Sequence, residues 1–151
     1  MEIQNPEQHA TDEGAAVELL RAAKTVAVVG ISDKEDRDSN KVAKYLKNHG
    51  YKIIPVNPRL KEVLGEPCYA DLKSVPEHVD VVDIFRSTDA IPGIVDEAIA
   101  VKAGSVWMQL GLIHDEAGEK ARKAGLSVVM NRCMKIDHAH LTRQEKETGG
   151  K

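Results

Sequence analysis

Residues 25–59 read TVAVVGISDKEDRDSNKVAKYLKNHGYKIIPVNPR, and this stretch decides the fold. It opens with TVAVV, an apolar run of mostly β-branched residues without polar alternation. A strand buried on both faces of a parallel sheet has that pattern. Gly30 lets the backbone turn sharply at its end. After a polar loop, Val42, Leu46 and His49 recur at helical spacing, with Ser39 placed to cap the helix and Gly50 to end it. YKIIPVNP then supplies a second strand. Pro55 cannot donate to a ladder, so the pairing is expected to open there. Strand, turn, helix and strand form a βαβ unit.

The alternation continues outward in both directions. Upstream, EGAAVELLRAAK is a helix with Val17, Leu20 and Ala23 on one face. Downstream, RLKEVLGEPCYADLKSVPEH reads as a long crossover with short helical pieces, and VDVVDIF as the third strand. Asp83, inside that strand, needs a partner once buried. TDAIPGIVDEAIAVKAG is a helix: Pro92 fits its first turn, Ile91, Ile94, Val95 and Ala98 make its face, and Gly104 ends it. SVWMQ is the fourth strand, DEAGEKARKAG a helix and LSVVM the fifth strand, followed by NRCMKIDHAHL. The reading is an α/β fold: a Rossmann-like, doubly wound parallel five-stranded sheet of expected order 3-2-1-4-5. It is expected as a single domain, 1–151, with a core of about 13–141 and loose termini at 1–12 and Arg143–Lys151.

Composition removes several classes of function. A chain of 151 residues, 42% hydrophobic and 30% charged, is an ordinary soluble globule. Aromatics at 3% leave little for base stacking, and a net charge of −3 is no nucleic-acid footprint. No run suits a membrane span and no signal-peptide pattern is present. Cys68 and Cys133 lie far apart without metal-type pairing, which fits a reduced, cytoplasmic protein. Neither nucleic acid nor membrane is expected as a partner.

In doubly wound sheets the ligand sits beyond the carboxyl ends of the strands. Those ends are Gly30–Ser39, Asn57–Arg59, Phe85–Ser87, Gln109–Gly111 and Asn131–Cys133. In the first loop, Ser32 and Ser39 offer hydroxyls, Arg37 and Lys41 offer cations, and the helix offers free N–H groups to an anion. Asp33, Glu35, Asp36 and Asp38 dilute that positive field. The loop has one glycine where an NAD site carries three. Strand two ends in Asn57-Pro58-Arg59, without the carboxylate that would hold ribose hydroxyls. Arg59 suits a ribose phosphate, either the 2′-phosphate of NADP or the 3′-phosphate of coenzyme A. Phe85 reads either as core or as the wall of an adenine slot, and Arg86 as a second phosphate clamp. Trp107 reads as core, with Gln109 and Gly111 edging a pocket. No catalytic motif is present. Cys133, Asp137, His138 and His140 have metal-ligating chemistry, but a surface or core role fits them better, and no metal is expected.

VVGIS, VAKYLKNHGYKIIPVNPR, GEPCYADL, VDVVDIFR, VWMQLG and VVMNRCMKIDH, in that order, cover Thr25 to about Leu141. The chain resembles the small stand-alone proteins of the CoA-binding domain family. Their domain is similar to the N-terminal domain of the succinyl-CoA synthetase alpha subunit. The resemblance implies a Rossmann-like fold with coenzyme A as ligand. It implies that Gly30, Ile31 and Ser32 approach the diphosphate, that Val56, Asn57, Pro58 and Arg59 lie near the adenosine phosphate, and that Phe85, Arg86 and Ser87 run along the nucleotide. Family members often carry Asp where this chain has Asn131. The synthetase's phosphorylated histidine belongs to its second domain, so no catalytic residue is carried over. The expectation is non-catalytic binding of coenzyme A or an acyl-CoA. The alternative is a small NADP-dependent oxidoreductase.

Overall fold

The computed structural model describes residues 6–149. Five long strands form one parallel sheet: β1 (Thr25–Val29), β2 (Lys52–Val56), β5 (Val81–Ile84), β6 (Ser105–Met108) and β7 (Ser127–Val129). A two-stranded ribbon, β3 (Glu62–Val63) with β4 (Glu66–Pro67), stands apart from it. Helices α1 (Pro6–Ala22), α2 (Asp38–Asn48) and α5 (Met134–Gly149) supply one covering layer, and α3 (Ile91–Ala100) with α4 (Asp115–Lys123) supplies the other. The expected loose ends are therefore helical over the described residues. Arg21 on α1 and Glu145 on α5 pair at 2.9 Å.

Strand alternation sorts the core into two layers. Val26, Val28 and Trp107 pack toward Leu20, Leu46 and Met134. Ala27, Val82 and Met108 pack toward Ile91, Val95 and Ala121. Each large apolar side chain so buried contributes about 1.5–3 kcal/mol. Trp107 is fully buried, as expected, and its Nε1–H donates to the Arg132 carbonyl at 2.8 Å.

The fold class is the one read from the sequence, but a different strand holds third place. The sheet runs β2-β1-β5-β6-β7. The strand read as third, β5, lies beside β1 on the side away from β2. The place outside β2 is taken by a single parallel bridge, Val56 to Tyr69. Tyr69 N–H donates to the Pro55 carbonyl at 3.0 Å, and its own carbonyl accepts from Asn57 N–H at 2.8 Å. This also explains Pro55, where the ladder stays closed: Pro55 keeps its register with Val28. Its carbonyl, and so the missing N–H, faces the nearly open outer edge, where no donor is needed.

The Asp83 carboxyl finds no partner among the described residues. It is fully buried between Val28 and Trp107, and neither of its oxygens has a hydrogen bond there. Burial pushes its carboxyl well above the usual carboxylate range, which favours the protonated form.

Candidate functional site

The chain leaves β1 toward α2 on one face of the sheet and leaves β5 toward α3 on the other. Between two adjacent strands with opposite departures a crevice opens at the carboxyl edge. Gly30 sits at its base with φ +89°. Its N–H donates to the Val56 carbonyl, and the neighbouring Phe85 N–H to the Val29 carbonyl, both at 2.9 Å. A Cβ on Gly30 would stand 2.6 Å from the Phe85 carbonyl oxygen and 2.7 Å from Arg86 Cδ. The Arg86 stem thus lies directly over the glycine, and its exposed guanidinium stands at the crevice.

The loop after Gly30 is braced by its own polar groups. Ser39 is not the helix cap: α2 begins at Asp38 behind Arg37, with no side-chain cap. Instead the Ser39 hydroxyl, buried, accepts from Ser32 N–H at 2.9 Å. Ser32 Oγ accepts from Lys34 N–H at 3.0 Å, and the Ser32 carbonyl accepts from Asn40 Nδ2 at 2.9 Å. Asn57 ties the end of β2 to the same loop. Its Nδ2 donates to the Ile31 carbonyl at 2.8 Å, and its Oδ1 accepts from Arg59 N–H at 2.8 Å. The side chains of Ser32, Ser39 and Asn57, read as ligand contacts, hold the loop in shape. Ile31 and Val56 are buried, so only their backbone borders the crevice.

The groups left over are charged, and the cations stand alongside the exposed carboxylates of Asp33, Glu35, Asp36 and Asp38. Arg37, Lys41, Arg59 and Arg86 are all exposed, as are Pro58 and Ser87. The backbone N–H groups of Asn40 and Lys41 bond to the Arg37 carbonyl, which leaves those of Asp38 and Ser39 at the turn outside the helical ladder. Arg86 and Gly30 are brought together, and Arg59 follows β2, the direct neighbour of β1. These residues can hold phosphate groups strung along the carboxyl edge.

A cavity of about 420 Å³ continues this crevice past β5 and β6. Its walls include Val42, Phe85, Leu110, Leu112, Cys133 and Ile136, with Lys41 and Lys135 also lining it. Phe85 is half-buried: it packs on the core and also lines the cavity. Gln109 lines the cavity too, as expected. Leu110 falls within the expected strand end Gln109–Gly111, whereas Leu112, Lys135 and Ile136 were not anticipated. Leu112 lies shortly after β6, Lys135 and Ile136 lie in the first turn of α5, and Leu110 and Ile136 are 64% and 58% exposed.

Beyond the cavity, the Arg132 guanidinium forks onto Asp137 at 2.7 and 3.1 Å rather than serving Cys133. His138 Nδ1 meets the Tyr45 hydroxyl at 2.9 Å, and burial beside His49 lowers its pKa. Asp137 and His138, two of the four residues weighed as metal ligands, thus have other partners, and no cluster of three ligating side chains occurs among the described residues. Asn131 adopts φ +60° and its Oδ1 accepts from Gly111 N–H at 2.7 Å, a turn role that explains an Asn or Asp there. Cys68 donates to the Asn57 carbonyl at 3.5 Å, and burial pushes its thiol up.

Comparison with known proteins identifies the family. The sequence profile of the CoA binding domain matches residues 24–139. The uncharacterized protein YneT of Bacillus subtilis is 39% identical over 122 residues, 81% of this chain and 90% of that protein. ADP-forming acetate–CoA ligase I of Archaeoglobus fulgidus is 30% identical over 128 residues, 78% of this chain but 19% of the ligase. A hypothetical protein from Pyrococcus horikoshii OT3, of known structure, superposes with a TM-score of 0.85 at 42% identity, covering 94% of this chain and 99% of that one. No helix among the described residues is long and apolar enough to cross a membrane. The chain belongs to the CoA-binding domain family.

Proposed function

We propose that this chain is a CoA-binding module, without catalysis of its own, that holds coenzyme A or an acyl-CoA along the carboxyl edge of its sheet. The observation that carries the reading is the arrangement at the crevice. The polar side chains of the β1 loop are consumed in bracing it, while Arg59 and Arg86 stand exposed at the ends of β2 and β5, the two strands that flank β1. A loop so braced offers a rigid backbone to a diphosphate, and the two guanidinium groups offer charge to the phosphates beside it. The 3′-phosphate is assigned to Arg59, because β2 ends in Asn57-Pro58-Arg59 with no carboxylate for a free ribose. The diphosphate is assigned to the turn at Gly30–Ser32 with Arg86 above it. Arg37 and Lys41 are assigned to the outer side of the same loop.

Calorimetry with CoA, dephospho-CoA, NADP and NAD tests the reading. CoA is expected to bind, dephospho-CoA to bind about ten- to a hundredfold more weakly, and NAD not at all. Equal affinity for CoA and dephospho-CoA removes the role of Arg59. Tight NADP binding with weak CoA binding favours an oxidoreductase.

A further inference from the structure

We propose that the 420 Å³ cavity receives the acyl thioester end of an acyl-CoA, with the Gln109 amide donating to the thioester carbonyl. The inference rests on the CoA reading above and goes beyond it, because it selects the acylated form over the free thiol.

Gln109 closes β6 at the carboxyl edge and is only 6% exposed. Its Oε1 accepts from Met134 N–H, in the first turn of α5, at 3.2 Å. Met134 N–H is a donor only, so the oxygen of the amide must face it and the nitrogen must face away. The Nε2 donors have no partner among the described residues. They are not sealed in the core either, since the oxygens of Asp83 are the only fully enclosed side-chain polar atoms there without a partner. Nε2 therefore opens into the volume that Gln109 lines. Opening there, Nε2 is a donor that a ligand oxygen in the cavity can engage in place of water.

The walls narrow the chemistry. Val42, Phe85, Leu110, Leu112 and Ile136 are apolar, and the exposure of Leu110 and Ile136 falls at the same cavity. A thiol is a weak hydrogen-bond acceptor and has no hydrocarbon to bury there. A short aliphatic acyl thioester brings both a carbonyl oxygen for Nε2 and an alkyl chain for the walls. Its location suits the assignment: the cavity shares Phe85 and Lys41 with the nucleotide crevice, so one extended ligand reaches from Arg59 across to Gln109.

The test compares CoA, butyryl-CoA and its thioether analogue S-butyl-CoA, which keeps the chain and lacks the carbonyl. Wild type is expected to bind butyryl-CoA about fivefold tighter than S-butyl-CoA, as one neutral hydrogen bond provides. Gln109→Met is expected to erase that difference while leaving the affinity for CoA within about twofold. Gln109→Glu retains the acceptor for Met134 N–H, removes the donors and serves as a second variant should the first fold poorly. Equal binding of the two butyl compounds by wild type, with CoA still bound, overturns the acyl site and leaves the CoA reading intact. A loss in Gln109→Met shared equally by CoA and butyryl-CoA also overturns it, because Gln109 would then serve an amide of the pantetheine arm. Failure of all three compounds to bind wild type refutes the CoA reading itself.

Discussion

The two halves of the carboxyl edge are built in opposite ways. At the ends of β1 and β2, Ser32, Ser39, Asn40 and Asn57 spend their polar groups on the loop backbone, and only charges remain outside. At the ends of β6 and β7, the Gln109 amide is half spent, and apolar side chains remain outside. The first half is a rigid frame that exposes cations, which suits phosphates. The second is a wall of hydrocarbon with one open donor, which suits the far end of an amphipathic ligand. A molecule with a phosphorylated nucleotide at one end and a thioester at the other matches the edge in the order in which it is built.

The largest effect is expected from breaking the frame. Gly30→Val places a branched side chain at φ +89° and drives its Cβ toward the Phe85 carbonyl and the Arg86 stem. The backbone conformation alone costs about 1–2 kcal/mol. Displacing the Arg86 stem additionally blocks the crevice. CoA binding is expected to be undetectable by calorimetry, with a melting temperature lower by several degrees. A variant that still binds CoA as wild type does would show that the ligand avoids the turn.

Arg59→Ala and Arg86→Ala remove charges from the frame without touching its braces. Each is expected to weaken CoA about ten- to a hundredfold, the equivalent of about 1.5–3 kcal/mol, and to leave thermal stability nearly unchanged. Unaltered affinity in both variants would move the phosphate contacts to Arg37 and Lys41. Neither variant should alter the preference between butyryl-CoA and S-butyl-CoA, because that preference belongs to the other half of the edge.

Asp83, in β5, lies beneath the boundary between the halves, two residues before Phe85, which directly follows the strand. Its folded-state pKa is raised by burial, so the native protein keeps a proton that the unfolded chain has lost. Stability from this group is thus full below the unfolded value near 4 and declines as pH rises toward the folded value. The slope in that window reaches about 1.4 kcal/mol per pH unit. Asp83→Asn cannot ionise, so its stability relative to wild type should rise as pH increases above the unfolded value near 4 in denaturant unfolding. Parallel stability curves for the two proteins would sink this account.

The frame was legible in the sequence because its parts are tied to strand ends. An apolar run closed by Gly30 and a strand ending in Asn57-Pro58-Arg59 locate the crevice without tertiary information. What each polar residue does there was less legible. A serine hydroxyl or an asparagine amide serves a backbone brace as readily as a ligand, and only the folded loop shows that Ser39 and Asn57 are so occupied. The third place in the sheet was hidden for a related reason. Tyr69 makes one bridge to Val56, too short a pairing for any run of residues to announce. The apolar wall was hidden because Leu112 and Ile136, met in sequence, look like any core residue.

The smallest effect separates the two cysteines, one in each half. Cys68 is turned onto the frame: its thiol donates to the Asn57 carbonyl, and burial raises its pKa, so little thiolate is present near neutral pH. Cys133 lines the cavity where the thiol end of the ligand is placed. Its neighbour Arg132 is forked onto Asp137. Access to the ligand's thiol end distinguishes the pair, and reaction is expected to be slow and partial. With CoA disulfide as oxidant, the Cys133 thiolate attacks one sulfur, the protein–CoA disulfide forms and one CoA thiolate departs. Intact mass should show a single CoA adduct that persists in Cys68→Ser and vanishes in Cys133→Ser. The reverse pattern would place the ligand's thiol at the β2 end and invert the order of the two halves. No adduct in the wild type, with CoA still bound, would mean that the pantetheine arm stops short of Cys133.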